Sequence, residues 1–220
     1  MMLGKLGRFV RRHLDHERGG WFLWLLCGRL VVACRSALAR WMLRAPGLML
    51  GGAANIRGSR HIEFGRQIFI NGPVWIEAVS RYGDQRFQPH IVIGDRVCLS
   101  SGVHVSCIDR VRIDQGVLMG SHVYISDHGH GWYGGAGSAS PMTPPAERLL
   151  GGGGPVHIEK NVWIGDNVVI VGPVVIGEGA VIGANSVVRK DVPAFAIAVG
   201  APARVIRKYA SESGLWESIE

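Results

Sequence analysis

An all-β solenoid is the fold class this sequence predicts, with short strands wound as a parallel coil around a three-sided prism. Three observations predict it. From Ile158 onward an aliphatic residue recurs at every sixth position, through Ile164, Ile170, Ile176 and Ile182 to Val188. Four places after each stands a second small or aliphatic residue: Val162, Val168, Val174, Ala180, Ser186 and Val192. A period of six fits neither an amphipathic helix nor an alternating strand. It fits a coil in which each side directs one aliphatic inward and then turns, and arrays of this kind are recognised by their fixed period. The third observation is the 32 glycines among 220 residues, suited to a chain that must bend sharply and often.

The elements follow in chain order. Residues 1–50 are expected to form a basic, amphipathic helical segment. Of the 24 Lys and Arg, 11 lie in residues 1–60 with only Asp15 and Glu17 against them, a balance of +9, whereas the remainder carries −2. In WFLWLLCGRLVVACRSALARWMLR, Arg29, Arg40 and Arg44 fall within roughly 60° on a helical wheel and Arg35 falls elsewhere. One reading lays this helix on an anionic membrane surface, with Trp21, Phe22 and Trp24 at the interface. The other makes it a cap over the open end of the coil, or a subunit contact, since solenoids require capping. It does not cross a bilayer: the uncharged stretch from Gly19 to Gly28 holds 10 residues, against about 20 needed. With no cleavage site after that stretch, the expected location is cytoplasmic.

Residues 51–202 form the coil domain. The same phase runs through Ile62, Ile68 and Val74, through Ile93, Leu99 and Val105, and through Ile113, Met119 and Ile125. Two segments break it. Residues 77–90 are a polar insertion, and residues 131–155, rich in Gly, Ser and Pro, cannot continue the coil. A loop of that length inside a repeat array reads as a lid or acceptor-binding loop, or as a tolerated insertion. Residues 203–220 are expected to be a short basic helix, ARVIRKYA, followed by a loose tail.

The densest group of polar functional side chains in the coil is Ser126-Asp127-His128-Gly129-His130, where the chain leaves its regular course. Histidine suits general-base work because its pKa lies near neutrality, and an adjacent carboxylate can fix its tautomer. The cysteines Cys27, Cys34, Cys98 and Cys107 form no paired or metal-binding spacing and read as free thiols in a reducing compartment.

The runs VLMGSHVYISDHGHGW, GPVHIEKNVWIGDNVVI and IGANSVVRKDVPAFAIAVGAPARVIRK, in that order over residues 91–208, resemble the hexapeptide-repeat acyltransferases. The likeness is strongest to the sugar O-acetyltransferases of O-antigen, capsule and exopolysaccharide. The resemblance implies a left-handed parallel β-helix, a homotrimer with clefts between subunits, and acetyl-CoA as co-substrate with no metal. It implies one catalytic histidine, which an ungapped reading from Val117 places on His130, with His128 second and Asp127 or His128 orienting or binding the acceptor. It implies cofactor contacts at Trp163, Ala184, Arg204 and Arg207, and at Arg189, where some members carry threonine. The acceptor it implies is a sugar or a lipid-linked oligosaccharide.

No serine or cysteine stands in a nucleophile motif such as GxSxG, which favours direct transfer over an acyl-enzyme. Two rival readings remain. A zinc enzyme like the gamma-class carbonic anhydrases would draw on His104, His122, His128 and His130, and a non-catalytic scaffold would need only the repeats. Nucleic acid is not an expected partner, because the positive charge lies on the apolar N-terminal segment without a groove-reading motif.

Overall fold

The computed structural model describes residues 19–219. Residues 1–18 of the predicted N-terminal segment, with Lys5, Arg8, Arg11, Arg12 and Arg18, lie outside the described residues. Three sheets form the walls of the coil, parallel throughout except for two antiparallel strands at the C-terminal end of the first. One has nine strands, beginning at Met49–Leu50, a second six, beginning at Ala54–Arg57, and a third five, beginning at Ile62–Phe64. Successive coils stack in register: Leu99 pairs with Met119, Met119 with Ile164, and Ile164 with Ile182.

Both predicted rows point inward. Ile158, Ile164, Ile170, Ile176, Ile182 and Val188 are buried, and so are Val162, Val168, Val174, Ala180, Ser186 and Val192. The corners explain the second row. Asn161, Asn167 and Asn185, each just before an inward corner residue, have φ of 60°, 57° and 60°. Asparagine tolerates this left-handed backbone better than other residues bearing a Cβ. Each such corner turns the next side chain into the prism.

The helix spans Gly19–Met42, and its later half closes the first coil. Ser36 Oγ accepts a hydrogen bond from Leu50 N at 2.9 Å, and Arg35 Nη2 donates to Leu50 O at 2.9 Å. Ala39 and Leu43 pack on the core. These contacts satisfy the backbone groups that the first strand would otherwise present at an open edge. At about 100° per residue, Trp24, Val31, Leu38 and Met42 share an exposed stripe away from that cap. Among the described residues no helix is long and apolar enough to cross a membrane.

The C-terminal end differs from expectation. Arg204–Ala210 is a strand, not a helix, and pairs antiparallel with Ala196–Val199. Leu215–Ser218 adds a further antiparallel strand where a loose tail was expected. An isolated helix of so few residues is marginal in water, whereas the last coil offers a full row of unpaired backbone donors and acceptors. The edge wins.

Candidate active site

Asp127 ends the second-sheet strand Tyr124–Ser126 and anchors the exit from the coil. Its side chain is fully buried. Oδ1 accepts from Ile108 N at 2.9 Å, and Oδ2 accepts from Asp109 N at 2.8 Å and Arg110 N at 2.9 Å. The Cys107 thiol donates to Oδ2 at 3.2 Å, and His128 Nδ1 bonds Oδ1 at 2.8 Å. Burial alone would raise the Asp127 carboxyl, but the bonds from His128, Ile108, Asp109 and Cys107 outweigh it and hold the pKa below its ordinary value. Burial, reinforced by the Asp127 charge, pushes the Cys107 thiol well up. That keeps it a thiol, not a nucleophile.

The two histidines of the cluster are placed differently. His128 is inward, with a side chain 9% exposed. Its Nδ1 faces Asp127, and its Nε2 stands 3.5 Å from Ser106 Oγ at the limit of a hydrogen bond. Beyond it lies His104, whose ring stacks on Trp75 with centroids 4.4 Å apart and meets the edge of Tyr124. Burial lowers the His104 pKa, with Glu77 opposing and His128 reinforcing the shift.

His130 is exposed, in the short antiparallel ladder that pairs Gly129–His130 with Leu150–Gly151. Its Nδ1 lies 3.4 Å from Tyr82 Oη. The Tyr82 hydroxyl donates its one proton to Ala146 O, so Oη acts as acceptor toward the imidazole. The proton therefore belongs on Nδ1, and the Nε2 lone pair is left open, with no partner among the described residues. Tyr82 lies in the Arg81–Tyr82 and Gln85–Arg86 hairpin, which forms within the 77–90 insertion. From the same hairpin, Gln85 Nε2 donates to Leu150 O at 3.1 Å, and Gln85 Oε1 accepts from Leu150 N at 2.7 Å. The two insertions thus meet at His130.

The predicted cofactor residues lie elsewhere. Register carries Trp163 to Val181, Val181 to Ile197, and Ile197 to Arg207. All four sit on the outer face of the first sheet, since the alternate residues Ile164, Ile182 and Ala198 are buried. Trp163 is 54% exposed. Ala184 is exposed at the following corner. Arg189, Lys190 and Arg204 line one cavity of about 350 Å³, where guanidinium and ammonium groups suit phosphate oxygens. Asp127 and His128 touch directly and His130 follows two residues later, whereas Trp163 and Arg207 lie on the first-sheet face, Ala184 at the corner after it, and Arg189, which follows the second-sheet strand Val187–Val188, lies beside Arg204. Tyr82, Gln85 and Ser106 carried no motif in the sequence. Their roles arise from long-range pairing; the interruption of the repeat at 77–90 signalled Tyr82 and Gln85, and nothing signalled Ser106, which lies in the coil strand His104–Cys107.

Within one protomer, no group of three or more His, Cys, Asp or Glu among the described residues is placed to hold a metal ion. A parallel three-walled coil with a polar, imidazole-bearing exit defines a β-solenoid with a candidate active site where the chain leaves the coil. The profile for "Bacterial transferase hexapeptide (six repeats)" matches residues 155–190. A protein of Escherichia coli (strain K12), WbbJ, described as a lipopolysaccharide biosynthesis O-acetyl transferase, is 40% identical over 163 residues, 74% of this chain and 79% of its own length. The chain belongs to the hexapeptide-repeat acetyltransferase family.

Solved structures agree on the fold. The Vibrio cholerae hexapeptide-repeat acetyltransferase VCA0836, in complex with acetyl coenzyme A, is 26% identical, with a TM-score of 0.51 over 81% of this chain and 78% of its own. A mutant of AntD, an N-acyltransferase from Bacillus cereus, was solved in complex with dTDP-4-amino-4,6-dideoxyglucose and coenzyme A. It is 20% identical, with a TM-score of 0.59 over 77% of this chain and 84% of its own. The fold shared with this family implies left-handed winding.

Proposed function

We propose that this protein transfers an acetyl group from acetyl-CoA to a hydroxyl of a surface-polysaccharide sugar or its precursor, with His130 as general base. The observation that carries this reading is the open Nε2 of His130, whose tautomer is set by Tyr82 and Ala146. His128, closer to a carboxylate, is largely buried with both ring nitrogens facing side chains. It and Asp127 therefore hold the coil exit in place.

Bound acetyl-CoA supplies an activated thioester carbonyl. The row from Trp163 to Arg207 and the corner at Ala184 offer a track for its arm, and the Arg189, Lys190 and Arg204 cavity suits its phosphates. His130 Nε2 takes the proton of the acceptor hydroxyl as that oxygen bonds to the acetyl carbon. Backbone N–H groups at a coil corner hold the tetrahedral oxyanion. As the carbon–sulfur bond breaks, His130 returns the proton to the departing thiolate, and no acyl-enzyme forms. The chain offers no activated nucleophile there, because Cys107 is held as a thiol.

His130 and Trp163 stand on different sheets of one protomer, which favours a cleft between subunits of a homotrimer. Met49, Leu118 and Trp163 form an exposed apolar row on the first sheet, and Trp75 is exposed on the second. The third sheet presents Glu63, Arg112 and His157. The exposed apolar row on the first sheet and Trp75 on the second favour partner contact through those sides. The exposed apolar stripe of Trp24, Val31 and Leu38 suits peripheral contact with the inner face of a membrane and a lipid-linked acceptor, whereas Arg29 and Arg40 lie on the opposite side of the helix. Val31→Asp together with Leu38→Asp tests that contact without disturbing the cap, and unchanged vesicle flotation would refute it.

The activity itself is tested by supplying labelled acetyl-CoA with a panel of saccharide precursors. Label should appear on a sugar hydroxyl, released as acetate by mild base. Label on no acceptor would refute the reading.

A further inference from the structure

We propose that the cavity beside His130 is the acceptor subsite and that it selects an uncharged pyranosyl unit over an acidic one. This rests on the function proposed above. The cavity, about 390 Å³, is lined by Gln85, Trp132, Ser140, Thr143, Glu147 and Gly151 among others. That volume lies within the range of small-molecule sites. Its wall contains Gly131, which follows His130 in the chain, and Leu150, which pairs with it across the ladder. A sugar seated there places its rim beside the imidazole.

Two features choose the ligand. The first is an aromatic face held in position. A Cβ at Gly134 would come within 2.3 Å of Trp132 Cζ2, and one at Gly152 within 3.4 Å of Cε3. At Gly134 a Cβ could not fit without displacing the indole, whereas one at Gly152 would make ordinary contact with it, and Trp132 remains 48% exposed. A fixed, exposed indole suits the C–H face of a pyranose ring.

The second is charge. The one guanidinium in the lining is anchored to the loop but keeps its charge: Arg148 Nε donates to Thr143 O at 2.8 Å, Nη1 to Tyr133 Oη at 2.9 Å, and Nη2 to Pro141 O at 3.3 Å. Glu147 has no side-chain partner among the described residues. Its carboxylate accepts hydroxyl protons and offsets the Arg148 charge, so the lining has no net positive charge to compensate the lost hydration of an acidic sugar. Hydroxyl-rich neutral sugars fit, whereas uronic acids do not, and any diphosphate of a carrier must lie outside the cavity.

Binding is measured on the full chain by saturation-transfer NMR without acetyl-CoA, so the result does not depend on catalysis. The probes are the methyl glycosides of glucose, galactose, N-acetylglucosamine and glucuronic acid. At least one neutral glycoside should bind, with Kd raised about tenfold by Trp132→Ala and by Gly134→Ala, which keeps the indole but displaces it. The glucuronoside should bind about tenfold more weakly than that neutral sugar, and Glu147→Gln should narrow the gap. Circular dichroism matching the parent confirms that the variants are folded. The inference is overturned if no neutral glycoside binds, if neither Trp132→Ala nor Gly134→Ala changes affinity, or if the acidic sugar binds as well as the neutral ones. Binding as described together with no acetyl transfer to any saccharide would sink the proposed function and leave the subsite standing.

Discussion

The coil and the two insertions that interrupt it are ordered by different forces. In the coil, each six-residue side contributes two inward apolar residues, and parallel ladders carry the register from one turn to the next. Around His130, order comes from side chains reaching distant backbone: Gln85 to Leu150, Tyr82 to Ala146, Arg148 to Thr143 and Pro141. The coil is sensitive to volume and indifferent to the chemistry of its outer face. The insertions are sensitive to hydrogen-bonding groups and have little apolar core of their own. A rigid scaffold that presents a loop of separate stability can change what it binds without risking its fold.

The harshest way to break that contrast is to cut a cavity in the coil. Ile164→Ala should cost about 2–5 kcal/mol, read as a lower denaturation midpoint, while Leu149→Ala in the exposed loop should leave the midpoint unchanged. Asp127 sharpens the comparison because it belongs to both regions. Asp127→Ala leaves the N–H groups of Ile108, Asp109 and Arg110 without their acceptor, and should cost about 3 kcal/mol.

The same residue predicts a pH dependence. Its folded pKa is depressed, so its contribution is present above about pH 4, where the unfolded carboxyl ionises. It is lost as pH falls through the lower folded value. Asp127→Asn should accordingly flatten the acid limb of the stability curve, and an acid limb identical to the parent's would contradict the assignment.

Smaller effects should appear in the insertions. Gln85→Ala removes both hydrogen bonds to Leu150 and should release the ladder by about 1 kcal/mol. Hydrogen exchange at the Leu150 amide should accelerate while the global midpoint holds. Tyr82→Phe should lower kcat a few-fold and spare the KM for acetyl-CoA, because it frees the imidazole tautomer without touching the cofactor track. A structural role alone would move the denaturation midpoint instead.

Much of the coil was legible in sequence because one physical constraint repeats. Every inward position from Ile158 to Val192 is buried, and the residues before the corner positions, such as Asn161 and Asn167, carry the backbone twist. The C-terminal strand was not legible. ARVIRKYA has a helix-compatible composition, and what makes it a strand is the open edge at Ala196–Val199, a property of the assembled coil. The site divides the same way. Asp127, His128 and His130 stood out as a local cluster. Tyr82 and Gln85 did not, because their partners lie 48 and 65 residues away in sequence. Local spacing carries no record of such pairings.

The account turns on which imidazole receives the acceptor's proton, and kcat/KM of single-histidine variants addresses it. His130→Ala should reduce kcat/KM by about 10²–10⁴-fold. His128→Asn should remain within about tenfold of the parent. The opposite pattern, with activity lost in His128→Asn and kept in His130→Ala, would contradict the account.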